Sequence, residues 1–144
     1  MEMAEETFTV VYNDCYGGFG MSPFALDKYN KRLLERNPEA EPLKDIYSPR
    51  RDDPILIDLC NEFGAKVNDK CSKLKLKSFP IRYKSFLEWG DYDGRESVSV
   101  DYRKYVLHHI REISEKDNGT MEEIRLLLKE YHSEIFPKLW YEEY

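Results

Sequence analysis

The stretch VVYNDCYGGFGMSPFALDKYNKR, Val10 to Arg32, passes from a strand-like segment through a glycine-rich turn into a helix. Residues Thr7 to Tyr12 alternate, with Phe8, Val10 and Tyr12 on one side, and their β-branched content favours a strand. NDCYGGFG then breaks the alternation. Ser22 is a good N-cap and Pro23 suits the first helical position, so the spacing predicts a helix over 23–36 with Phe24, Leu26, Tyr29, Leu33 and Leu34 turned to a core.

Outward from this unit, residues 37–52 hold three prolines and several charges and read as a surface loop. Asp53 and Pro54 repeat the cap-plus-proline signature, so ILIDLCNEF should continue as a helix buried along Ile55, Leu56, Leu59 and Phe63, stopped by Gly64 as a left-handed cap. KLKLKSF sets Lys73, Lys75 and Lys77 against Leu74 and Leu76, the pattern of a half-buried antiparallel strand that Pro80 ends. Residues 81–89 read as a further strand, joined through Asp93-Gly94 to a returning strand, RESVSVDY. A helix is expected from Tyr102 to about Ser114. The capping box of Thr120 and Glu123 opens a last one to about Ile135, buried through Ile124, Leu127, Leu128 and Tyr131. This order predicts a single α+β domain over 1–144, with residues 137–144 as a tail: an antiparallel sheet of about four strands with about four helices packed mainly on one face.

The chain has 144 residues, enough for one core, and its 41% hydrophobic content supports one. No apolar run reaches the roughly 20 residues a membrane helix needs, so membrane partners are not expected. The acidic opening, MEMAEETFTVV, is unlike a secretion signal. Cys15, Cys60 and Cys71 are odd in number and form no CxxC, which favours reduced, apolar fillers over disulfides or zinc. Net charge is −6, but residues 66–84 carry 7 basic and 1 acidic side chain, between two acidic segments.

Glycines before a capped helix are the makings of an anion cradle. The turn lacks a lysine and any P-loop or dinucleotide motif, and Pro23 removes an N–H, so a structural corner packed by Tyr16 and Phe19 fits better. Asp14-Cys15 with a histidine, adjacent His108-His109, and the Asp52-Asp53 pair are weaker leads; Asp53 is more simply a helix cap. Lys73, Lys75, Lys77 and Lys84 offer a basic face for phosphates or an acidic partner, or simply protect an edge strand. Trp140 and Tyr141 in the aromatic tail are of the kind that anchors interfaces.

VYNDCYGGFGMSPFALDKYN, RRDDPILIDLCNEFG, KLKLKSFP and EWGDYDGRE, taken in this order, resemble a family of small uncharacterised proteins of tailed phages and large DNA viruses, over about residues 8–105. The resemblance implies a viral origin, and with it the host cytoplasm or nucleus, or the virion, rather than secretion. It supplies no catalytic residue, cofactor or metal. Asn13, Asp14, Tyr16, Gly17, Gly18, Gly20, Arg51, Asp52, Asp53, Asp93 and Gly94 match its pattern, and the first eight form the candidate ligand-binding set. The expectation is a non-enzymatic accessory protein acting through protein contacts, as a homodimer or on a viral or host protein. Binding of a phosphate-bearing ligand or nucleic acid is the second reading.

Overall fold

The structure, a computed structural model, describes residues 5–47, 49–116 and 118–135. The chain divides into two compact units, one of residues up to Lys84 with Trp89–Val98, the other of Ser85–Glu88 with the chain from Ser99 onward. Strands and helices are both present, and the strands pair antiparallel, so the α+β character stands.

In the first unit, β1 (Thr7–Asn13) pairs with β2 (Leu74–Pro80), running from Thr7 opposite Pro80 to Asn13 opposite Leu74. Two helices cover one face. Helix α1 (Pro23–Arg36) starts where Ser22 accepts the Ala25 N–H, and α2 (Pro54–Phe63) where Asp53 accepts those of Ile55 and Leu56. Each proline sits where its missing N–H costs nothing. Val11, Leu74 and Leu76 of the sheet meet Ala25, Tyr29, Leu56 and Leu59 of the helices in one apolar cluster. Leu56 and Leu59 are fully buried, each contributing about 2 kcal/mol by burial.

Several expectations change. Val10 as well as Val11 is buried, so β1 is covered on both faces, not on the Phe8–Val10–Tyr12 side alone. Phe24 and Leu34 are exposed because α1 turns Ala25 and Tyr29, one turn apart, to the core; Phe24 instead stacks edge-on against Phe63. Gly64 ends α2 at φ 54 but ψ −126, which is not the left-handed helical conformation, and a short 3₁₀ turn, Gly64–Val67, follows.

Residues 81–89 are not one strand. Pro80 cannot extend the ladder as a donor, Ile81 gives its N–H to Glu6, and Ile81–Phe86 coils into a 3₁₀ segment that buries Tyr83. Only then does β3 (Leu87–Tyr92) begin, returning as β4 (Arg95–Val100). Asp93 at φ 53 and Gly94 at φ 86 make the tight turn that matches hairpin twist. The four strands therefore form two separate two-stranded sheets, β1-β2 and β3-β4, and not the single sheet expected.

The second unit is helical. Asp101 caps α3 (Tyr102–Glu115) by accepting the Lys104 N–H, and Thr120 caps α4 (Met121–Glu130) by accepting that of Glu123. Tyr105, Val106 and Tyr131 are its buried residues among those described, with Tyr105 edge-on against Phe86 at 5.2 Å and tilted against Tyr131 at 5.4 Å. The expected last helix breaks at Tyr131 and resumes as the one-turn α5 (His132–Ile135). Helix α4 buries none of its residues: Ile124 and Leu127 are half-covered and Leu128 is exposed. Trp140, Tyr141 and the 137–144 tail lie outside the described residues.

Candidate functional site

Asn13 ends β1 in a fully buried position, and an amide there must satisfy every group it carries. Its Nδ2 donates to the carbonyls of Cys15 and Gly94, each at 2.8 Å, and its Oδ1 accepts the Lys73 N–H at 2.9 Å. The backbone N–H of Asn13 points away from β2 and donates to Glu96 Oε1 at 3.0 Å. One residue thus joins its own turn, the start of β2 and the β3-β4 hairpin.

Glu96 is held in turn by Arg51, whose Nε and terminal nitrogen donate to the carboxylate at 2.8 to 3.2 Å. The Arg51 guanidinium lies 3.6 Å from the centre of the Phe19 ring, a stacked cation with little water around it. The carbonyl of Arg51 accepts the Val11 N–H at 2.7 Å. Arg51 and Glu96 together therefore occupy two of the N–H groups along the free edge of β1, those of Val11 and Asn13, which would otherwise invite another strand.

Asp14 follows Asn13 and accepts from Lys75 Nζ and from Arg95 Nε, the latter at 2.9 Å. Those two cations, Lys75 first, hold its carboxyl below the usual carboxylate range, and Asp14 holds the Lys75 ammonium above its own. Tyr16 stands edge-on to Tyr92 at 6.3 Å, with the Arg95 guanidinium over its ring at 5.7 Å.

The glycines bring this turn against the hairpin tip. Gly17 donates its N–H to the Asp93 carbonyl at 2.9 Å, and a Cβ on Gly94 would lie 2.6 Å from Gly18 Cα, a separation no side chain tolerates. Gly20 is a close approach of another kind, its carbonyl accepting the Ser72 hydroxyl at 2.7 Å. Further N–H groups on the way to α1 are taken as well, Met21 by Ile46 and Ser22 by Val67. A phosphate cradle needs N–H groups free to converge on an anion. Here Gly17, Met21 and Ser22 give theirs to protein carbonyls, and the turn clasps a hairpin.

The chain matches no family model, no curated protein and no solved structure with which it was compared. The remaining candidates are therefore placed by geometry alone. Asn13, Asp14, Tyr16, Gly17, Gly18 and Arg51 come together at the clasp, and Glu96 and Arg95, which the sequence did not single out, complete it. Asp52 lies elsewhere, paired with exposed Arg50 at 3.2 Å, and shares with Lys84 the lining of a depression of about 460 Å³ beside Tyr29 and Arg36. Asp53 is spent on its helix cap and on the Tyr29 hydroxyl.

Of the lysines, Lys75 is tied to Asp14, Lys77 donates to the Val98 carbonyl at 2.9 Å, and Lys84 sits on the 3₁₀ segment away from the strand. Lys73 is exposed just before β2. Burial pushes the Cys60 thiol up to about 11, an unreactive state, while Cys71 is exposed and is not the filler expected. In the helical unit, His108 and His109 both reach Glu112, at 3.0 and 3.2 Å. Among the described residues no three side chains of the metal-binding types converge on one point, and no helix is long and apolar enough to cross a membrane.

Proposed function

We propose that this is a non-enzymatic viral accessory protein that works through protein contacts, as a homodimer formed through its helical unit. The viral origin rests on the resemblance of its ordered turn and cap motifs. The mode of action rests on one observation: Met121, Ile124 and Leu128 of α4, spaced as one ridge, line an open apolar depression of about 330 Å³ to which, among the described residues, Glu122 and Arg125 add the polar lining. Helices of small proteins turn such ridges inward.

A second copy fits this ridge by charge. Two α4 helices packed antiparallel about a dyad near Leu126 place Ile124 of each copy against Leu128 of the other, and Glu122 of each beside Lys129 of the other. The acidic first turn and basic last turn of α4 suit that arrangement, and Arg125 at the dyad is already clamped by Glu122 at 2.6 Å. Light scattering behind size exclusion tests it. Wild-type protein at micromolar concentration should weigh twice 17.2 kDa and Leu128→Asp once, with unchanged helical circular dichroism. A wild-type mass of one chain overturns the dimer.

A further inference from the structure

The surface above the clasp, in the first unit, differs from the dimer ridge in place and in chemistry. Its carboxylates lie below and its cations outside: the Asp14 and Glu96 side chains are 17% and 12% exposed, those of Lys75 and Arg95 43% and 50%. A groove of about 310 Å³ runs here between β1, β2 and β4, lined by Tyr12, Lys77 and Arg95 among others. Lys77 uses one donor on Val98 and has two left. Lys73, exposed next to Asp14 in the ladder, adds another cation. These two carboxylates are paired with their own cations, so the charge a ligand meets in the groove is mostly positive, while Asp91 and Asp93 flank Tyr92 outside its lining.

Two aromatic rings adjoin this groove through Arg95, which lines it and lies over the ring of Tyr16. Tyr16 and Tyr92 are both exposed, and they stand edge to face with Arg95 over one of them. The turn that carries Tyr16 and the hairpin that carries Tyr92 are locked together by Asn13 and Gly94, so the rings are held in place before any ligand arrives. Cations along a groove beside exposed, preorganised rings are the elements of a surface on which bases stack while phosphates meet ammonium and guanidinium groups.

We propose that this groove binds single-stranded nucleic acid without sequence preference, the Tyr16–Tyr92 pair receiving a base and Lys73, Lys75, Lys77 and Arg95 the neighbouring phosphates. Base faces are hidden in a duplex, so single strands are preferred. The aromatics of the lysine segment itself, Phe79 and Tyr83, are buried, and the exposed rings are supplied by the fold, which brings Tyr16 and Tyr92 to it across the chain.

The test is fluorescence anisotropy of a labelled ten-residue oligothymidylate against the full chain at low salt. Saturable binding should weaken with salt at a log–log slope of about −3, as expected for about four phosphates on a single strand. Tyr92→Ala should lose about tenfold in affinity. Lys73→Gln should flatten the slope by somewhat less than one. Both side chains are exposed, and an unchanged melting temperature shows that the variants fold. No saturable binding, full affinity in Tyr92→Ala, or equal competition by polyglutamate, which would mark a surface for acidic protein, each overturns the proposal.

Discussion

The side-chain amide of Asn13 donates to the carbonyl of Gly94 at 2.8 Å, joining the end of the first strand to the tip of a hairpin 81 residues later. The Asn13 amide has no alternative partner in water, being fully buried, and the Gly94 carbonyl belongs to a turn whose conformation leaves it pointing at the clasp. The hairpin is therefore held by a polar lock and not by apolar area: most of β3 and β4 is exposed, and Val98 is the one fully buried residue they bring among those described.

Asn13→Ala should cost about 2–4 kcal/mol, because it leaves the carbonyls of Cys15 and Gly94 and the Lys73 N–H without their partner. Asn13→Asp should be as harmful or worse, since it sets a carboxylate against two carbonyls. Urea denaturation followed by circular dichroism measures both. A loss below about 0.5 kcal/mol for Asn13→Ala would mean that water replaces the amide and that the lock is not structural.

Gly94→Ala should release the hairpin from the turn. The added Cβ would meet Gly18 Cα at 2.6 Å and Gly17 C at 2.7 Å, both backbone atoms that cannot step aside. Gly18→Ala is the control: its φ of 106 strains a side chain, but nothing lies within 4 Å of the new Cβ. It should cost only the strain, about 1–2 kcal/mol. Amide hydrogen exchange should show protection at Gly17 and Asn13 lost in Gly94→Ala and kept in Gly18→Ala.

Acid should open the clasp through Asp14. Lys75 and Arg95 lower its pKa from the ordinary 3.8, so below about pH 5 the unfolded chain takes up protons that the folded one resists. Its contribution is complete above that range and is lost as pH falls through the folded pKa. Urea midpoints measured from pH 6 to about pH 3 should fall, and Asp14→Asn should start lower at pH 6 and fall less steeply. Parallel curves for the two proteins would show that another group carries the acid sensitivity.

The helices were legible because their signals are local: Ser22-Pro23, Asp53-Pro54 and Thr120 with Glu123 each specify a start within a few residues, and the structure begins α1, α2 and α4 there. The 3₁₀ segment was not, because Ile81 and Tyr83 alternate as a strand would, and what decides the matter is that Pro80 cannot donate to the ladder and the Ile81 N–H goes to the Glu6 carbonyl. The turn residues were found from composition, but their role was open. Whether glycine N–H groups face a ligand or the hairpin depends on Asp93, more than seventy residues away in the chain. Glu96 left no trace, since an acidic residue on an alternating strand is ordinary. Its importance comes from Arg51 and from the β1 edge, neither of them near it in sequence.

Arg51 and Glu96 form the ion pair on which that edge depends, and the pair should behave asymmetrically under substitution. Glu96→Ala leaves the Arg51 guanidinium stacked on Phe19 with no anion and the Asn13 N–H with no acceptor, a loss of about 3 kcal/mol or more. Glu96→Gln keeps an oxygen for Asn13 and should lose about half as much. Arg51→Lys keeps the charge but neither the two-point contact nor the flat stacking surface, so it should resemble removal of the pair more than a conservative change. In a double-mutant cycle, Arg51→Ala with Glu96→Ala should cost well below the sum of the single losses, because the second substitution removes a charge the first had stranded. Additive losses would show that each side chain is held by its other contacts. Glu96 would then cap the Asn13 N–H at the β1 edge without help from Arg51.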